Sequence, residues 1–387
     1  MNYNNPMYKK IVYITHIVCT LLFLVFWFYY LYHVQGSLLT TAQHVFSGGK
    51  TSYSPFWGAI IISGLLWLLQ IGINRIMRLP SLCFALSFFP SCLVLAMITD
   101  IDPNIFVHFS IGAWVWVFPL LLVLFVGGAS ILKHLRMPED FKGAGIFFSL
   151  LFPNLVITVL FCLFIGVTGN TTDTLQYTFR VEKALAENKP DEALTVGEKS
   201  LSSSRQLSCL RAYALSLKGE LGERLFTYPQ NYGVDGLVLM PSDTLGLMFQ
   251  PKQVYSYLGV SPSSNNEVVM TYLERVVRNK RMKEPAKDYY LCALLLNKNL
   301  SEFAKVLPRY YKLDENLPTH YKEALILYSR ITPHPAYVFH DSVEDAAYED
   351  MQKLEASYKY YIVRKNYLRR EFGSTYWFYF KYMALPS

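Results

Sequence analysis

The sequence predicts an all-α membrane protein: five transmembrane helices followed by a soluble domain of tetratricopeptide-like helical hairpins. Three observations carry that prediction. The 387 residues are 52% hydrophobic and only 17% charged, against roughly 25% charged in soluble domains. The charges are also segregated: residues 1–170 hold 8 Lys/Arg and 4 Asp/Glu, whereas residues 171–387 hold 28 and 25. Finally, five apolar stretches, about 11–31, 56–73, 82–98, 106–132 and 146–167, contain no Lys, Arg, Asp or Glu and approach or exceed the length of about 20 residues that a spanning helix needs. A single soluble domain, a disordered chain and a disulfide scaffold are excluded.

The first stretch begins after Lys9-Lys10, as a secretion signal does. It ends in Trp27-Phe28-Tyr29-Tyr30 rather than in small residues, so it reads as a retained helix with an interfacial aromatic belt. Pro90, Pro119 and Pro153 fall within spans and each removes one helix hydrogen bond. Basic residues set the orientation. Lys9, Lys10, Arg75, Arg78, Lys133, Arg136 and Lys142 fall on one side of the alternating spans and Lys50 alone on the other. The positive-inside rule then puts the N-terminus in the cytoplasm and, after five spans, the tail outside it.

The expected organisation is a transmembrane domain over 1–170, hairpin helices over 171–228, an irregular loop over 229–265 and a helical domain with an aromatic and basic C-terminus over 266–387. In the tail, Leu, Ala, Glu, Lys and Tyr recur at three- and four-residue spacing, a helical period. Asn188-Lys189-Pro190-Asp191 breaks one helix pair, and Lys218-Gly219-Glu220 breaks another about 30 residues later, the spacing of stacked hairpin repeats. Between 229 and 265 turn formers are dense, yet Leu237-Val238-Leu239-Met240 and Leu245-Gly246-Leu247-Met248-Phe249 are apolar enough to pack on something.

Asp191-Glu192-Ala193-Leu194 with Glu198-Lys199-Ser200-Leu201 resembles the second helix of a tetratricopeptide repeat, Ala193 taking the small-residue position. Ala212 and Gly219 match the small positions of a first helix and its turn, and Ala304 does so in a third candidate over 290–311. Ser200 and Arg224 depart from the pattern, since the repeat has small residues there. The whole layout also resembles uncharacterised bacterial inner-membrane proteins with a multi-span N-terminus and a helical-repeat tail, a likeness carried by residues 211–229. That resemblance implies a periplasmic tail and no particular activity.

Candidate chemistry is sparse. There is no Cys-x-x-Cys, phosphate loop, nucleophile elbow or His-Glu-x-x-His, so no catalytic, cofactor or metal residue is assigned. Cys209 and Cys292, the two cysteines of the tail, admit one disulfide in an oxidising compartment, but their core positions on different helices favour free buried thiols. Asp100, Asp102 and His108 cluster at the outer ends of spans three and four, where carboxylates and imidazole can hold a cation or relay protons. Asp173-Thr174-Leu175, Asp243-Thr244-Leu245 and Asp341-Ser342-Val343 share an Asp, a hydroxyl residue and an aliphatic one. They resemble a short bacterial O-glycosylation signal at Thr174, Thr244 and Ser342, although Asp-Ser/Thr pairs also mark turns and helix caps. The C-terminal segment 358–383 mixes Arg and Lys with Tyr, Trp and Phe. The exported topology argues against nucleic acid and leaves helix packing, which we favour, or contact with the membrane interface.

The leading functional expectation is therefore a membrane-anchored scaffold whose repeats bind a protein partner, with the lipid bilayer as its other partner. The alternative is a membrane enzyme or transport component acting at Asp100, Asp102 and His108.

Overall fold

The computed structural model describes residues 6–51, 53–100, 112–134, 145–243, 248–314 and 316–384. The chain divides into two compact units, Met1–Thr172 and Asp173–Ser387. Both are built of helices, and no strand occurs among the described residues.

In the first unit, α1 (Pro6–Tyr29) continues through one π-helical turn, Tyr30–Val34, into α2 (Gly36–Phe46). Next comes α3 (Pro55–Met77), and a 3-10 stretch, Ser81–Phe88, leads into α4 (Phe89–Thr99). The last two are α5 (Trp114–His134) and α6 (Gly145–Thr168). Five segments are long and apolar enough to cross a bilayer: Tyr8–Val34, Pro55–Met77, Ser81–Thr99, Trp114–Leu132 and Phe148–Thr168. They match the five that the sequence predicts, except that the fourth begins at Trp114: residues 112–113 form a turn and residues 106–111 lie outside the described residues.

Helices α1, α3, α4 and α6 pack together, and α5 lies against α4. Phe23, Trp27, Phe88 and Cys92 fill the interior. Ile61, Leu65, Trp116, Val123 and Phe152 face outward, as lipid-facing side chains do. Pro90 opens α4 instead of interrupting it, while Pro119 and Pro153 sit inside their helices.

Hydrocarbon offers no water to an unpaired backbone group, and the irregular 3-10 start creates several. Asn154 of α6, fully buried, answers them: its Oδ1 accepts from the Ala85 amide at 2.8 Å and its Nδ2 donates to the Ser81 carbonyl at 3.0 Å. Between α3 and α4, Gln70 donates to Ser87 and Ser91 donates to the Leu66 carbonyl, both at 2.8 Å. At the other end of the bundle, Gln35 donates to the Tyr30 hydroxyl at 2.9 Å and to the Asn170 carbonyl at 3.3 Å. Gly169 passes so close that a Cβ there would overlap the Tyr30 hydroxyl.

The second unit begins with α7 (Asp173–Ala186), α8 (Pro190–Thr195), α9 (Arg205–Leu217) and α10 (Leu221–Arg224). It continues with α11 (Pro251–Leu258), α12 (Val269–Val277), α13 (Ala286–Leu296) and α14 (Leu300–Val306). It ends with α15 (Thr319–Ile331), α16 (Ser342–Ser357), α17 (Tyr361–Phe372) and α18 (Tyr376–Tyr382). Most consecutive helices pack on one another along the unit, among them the hairpin pairs α7/α8, α9/α10 and α13/α14, and α10 lies on both α13 and α15.

The three hairpins turn in the same way. Asn188, Gly219 and Lys298 take positive φ of 56°, 71° and 56°. The following amide bonds back five residues each time: Lys189 to Ala184 at 2.8 Å, Glu220 to Leu215 and Asn299 to Leu294 at 2.9 Å. This double-bonded left-handed cap satisfies the orphan carbonyls of the first helix and aims the second. Only one of the three positions is Gly, so glycine spacing alone hides the match. Ala193, Ala212 and Ala304 are all buried where helices meet.

Within 229–265 the chain forms a 3-10 turn, Gly233–Gly236, and then α11. Leu237, Val238, Met240 and Phe249 join the main core of the unit. Cys209 and Cys292 are free and buried, and burial pushes both thiols up.

Candidate functional site

Asp100 caps α4, and its Oδ2 accepts a hydrogen bond from Trp114 Nε1 at 2.7 Å. The carboxylate thus ties the start of α5 to α4, beside a cavity of about 200 Å³ that Phe164 and Thr168 also line. Asp102 and His108 lie outside the described residues. Among the described residues no group of three His, Cys, Asp or Glu side chains is placed to hold a metal.

Thr174 is half-buried in the first turn of α7. Ser342 is exposed at the start of α16, where Asp341 accepts from the Val343 and Glu344 amides at 3.1 and 3.2 Å as the helix cap. Thr244 lies outside the described residues; the preceding Asp243 closes a turn on the Met240 amide at 2.7 Å and pairs with Arg205 at 2.8 Å.

The tail holds a larger cleft of about 440 Å³. Three segments wall it: residues 198–201, residues 226–231, and the end of α17 with α18. The sequence places Glu198-Lys199-Ser200-Leu201 in a second repeat helix, but α8 stops at Thr195. The cause is local. Gly197 takes a left-handed φ of 59°, and Tyr177 packs where a Cβ would sit. Arg211 then holds the Val196 and Gly197 carbonyls, each at 3.0 Å. Residues 198–201 are released from the helix and become the rim of the cleft, with Leu201 65% exposed.

The floor is aromatic: Phe226, Tyr228, Phe378 and Tyr379. Buried polar groups fix it in place. His320 Nε2 accepts from the Phe226 amide at 3.2 Å, so Nδ1 carries the proton and donates to Glu323 Oε2 at 2.9 Å. The same carboxylate oxygen accepts from the Tyr376 amide at 2.7 Å, and Trp377 Nε1 donates to the Glu323 carbonyl at 2.7 Å. Tyr379 donates to the Leu296 carbonyl at 2.7 Å. A buried group of this kind is stable only when every partner is present, and here one carboxylate joins α15, the segment at Phe226 and α18. The aromatic C-terminal run thereby packs into the core.

The charges around the cleft do not cancel. Glu198 pairs with Arg224 at 3.3 Å, and Arg370 lies 3.6 Å from Glu371. Lys199 and Arg369 line the cleft and have no acidic partner among the described residues. Behind the Tyr228 ring lies Arg211, 2% exposed, its guanidinium carbon 4.8 Å from the ring centre. Its Nε and Nη1 find no partner among the described residues, and burial holds its pKa below the usual range. A buried cation without a counter-charge raises the potential of the wall in front of it. The cleft is thus an aromatic slot with a cationic rim, suited to an extended segment carrying both an anionic and an apolar group.

Sequence reasoning reached these residues without joining them. Arg369 belongs to the basic C-terminal series and Lys199 to a supposed helix; about 170 residues separate them. Arg224, a departure from the repeat pattern, turns out to pair with Glu220 at 2.9 Å as well as with Glu198. One local signal existed: Gly197 within an otherwise helical pattern.

Compared with known proteins, the sequence model of a family of unknown function (DUF6057) matches residues 104–271 and, in a second segment, 262–383. No curated protein matches, and no solved structure matches.

Proposed function

The chain belongs to that family of unknown function, and from this premise and its fold we propose a membrane-anchored scaffold whose tail binds a protein partner in the cleft between residues 198–201, 226–231 and α18. The carrying observation is the surplus of Lys199 and Arg369 over an aromatic floor, with Arg211, which has no acidic partner among the described residues, behind it. An acidic, apolar-flanked peptide supplies what that slot lacks. The three matching hairpin turns support a tetratricopeptide-like reading of the tail, since such hairpins stack to offer extended grooves. We further propose that the protein sits in a bacterial inner membrane with a cytoplasmic N-terminus and a periplasmic tail. The seven-to-one asymmetry of basic residues supports this orientation.

The test uses the full chain in its native membrane. A photo-crosslinking residue at Leu201 should give a discrete protein adduct, lost in K199E and R369E variants of normal abundance. A crosslinker at exposed Val268, which does not line the cleft, should not give it. An adduct at Leu201 indifferent to both charge reversals would refute the cleft. Alkaline phosphatase fused after Val167 or at the C-terminus should be active; activity confined to a cytoplasmic reporter would reverse the orientation while leaving the cleft untouched.

A further inference from the structure

The buried C-terminal run leaves a different segment outward. In residues 356–370 there are five basic residues, Lys359, Arg364, Lys365, Arg369 and Arg370, and no acidic one. Within that stretch α17 buries Leu368 alone. At its N-terminal end Tyr360 is 74% exposed and Ile362 73%, with Tyr361 and Val363 exposed beside them. Apolar side chains this exposed gain little from the fold; Tyr361 keeps one ring contact, 5.9 Å from Tyr382.

Lys359 and Lys365 have no acidic partner among the described residues. Tyr358 and Tyr367 stack on each other with ring centres 4.4 Å apart, so those two rings are already engaged. Ile362 and Val363 have no part in reading nucleic acid, which takes aromatic stacking and phosphate contacts. Aliphatic and tyrosyl side chains inside a basic collar are the composition of a segment that lies in a lipid interface. The chain also carries five segments able to cross a bilayer, which tether the tail to a lipid surface.

We propose that the start of α17, through Tyr360, Tyr361, Ile362 and Val363 with Lys359 and Lys365, docks on the surface of an anionic bilayer. The apolar residues enter the headgroup region and the lysines meet lipid phosphates. This rests on the exposure and charge of α17 and not on the cleft reading.

The test is amide hydrogen exchange of the full chain in two nanodiscs, one of phosphatidylcholine and one containing phosphatidylglycerol. Amides over 359–367 should exchange more slowly in the anionic disc, by about fivefold for each basic residue engaged. High salt and the pair K359E and K365E should each remove the difference. I362S with V363S should reduce it while sparing its salt dependence. Core amides of α13 serve as the reference for intact folding. Equal exchange in both discs, or a difference that survives K359E and K365E, overturns the proposal. Protection that appears only when RNA or a second protein is added assigns the patch to that partner and overturns it equally.

Discussion

Replacing Glu323 with Ala tests the polar clamp under the cleft. Glu323 is 2% exposed, and its Oε2 accepts from His320 Nδ1 and the Tyr376 amide. Removing the carboxylate strands both donors away from water, and each stranded buried donor costs about 1–3 kcal/mol. The missing side chain adds the cost of a small void. A total of about 3–5 kcal/mol is expected, in line with breaking other buried pairs. Glu323→Gln can keep its one carbonyl oxygen at the Oε2 position, where both donors converge, and gives up only the charge on that acceptor, so it should lose less than half as much. The loss should be local at first, because Tyr376, Trp377, Phe378 and Tyr379 enter the core through α18. Hydrogen exchange of the detergent-solubilised chain is the direct assay. Amides of α18 should accelerate by about 100-fold or more, since each 1.4 kcal/mol is tenfold, while α12 changes least. Wild-type protection of α18 in Glu323→Ala would refute the clamp, and with it the claim that this carboxylate holds the cleft floor.

Other outcomes are expected from the same structure. A Cβ at Gly222 would lie 2.6 Å from the Tyr321 ring, which is buried and held by Asp288 at 3.0 Å, so Gly222→Ala should destabilise the tail by about 1–3 kcal/mol, read as a lower Tm. Ala193→Leu should act similarly through α8, whereas a change at exposed Lys189 should not. Burial, with Glu323 and Asp341 adding to it, pushes Glu344 up to about 7 against the pull of Lys322 and His320. Because folding raises this pKa, the folded state binds the proton more tightly, and stability falls as pH rises from about 4.5 to 7; Glu344→Gln should remove that part of the pH dependence and raise Tm at pH 8, and an unchanged pH profile refutes the assignment. If Thr174, Thr244 and Ser342 carry glycans, the native protein should exceed its 44.6 kDa and the triple Ala variant should return to it; an intact mass equal to the bare chain removes the idea.

The sequence by itself determined the fold class. Five uncharged apolar runs admit only helices in a bilayer, because each backbone group must bond within its own segment. Two of the three hairpin turns were also legible, since Pro190 and Gly219 carry local conformational preferences. The third was not: Lys298 reaches φ 56° in a conformation that its own side chain disfavours, and the packed hairpin holds it there. The aromatic run at 376–380 could be placed in the core or at a membrane from composition alone. Tertiary structure decided it by supplying Glu323 to the Tyr376 amide. The same holds for the cleft. Lys199 and Arg369 become neighbours of one site only because Gly197 ends a helix early and the clamp brings α18 beside Phe226. Local propensity is set by residues three or four apart, whereas a cleft is set by which buried polar groups find partners across the whole unit, and no spacing in the chain records that.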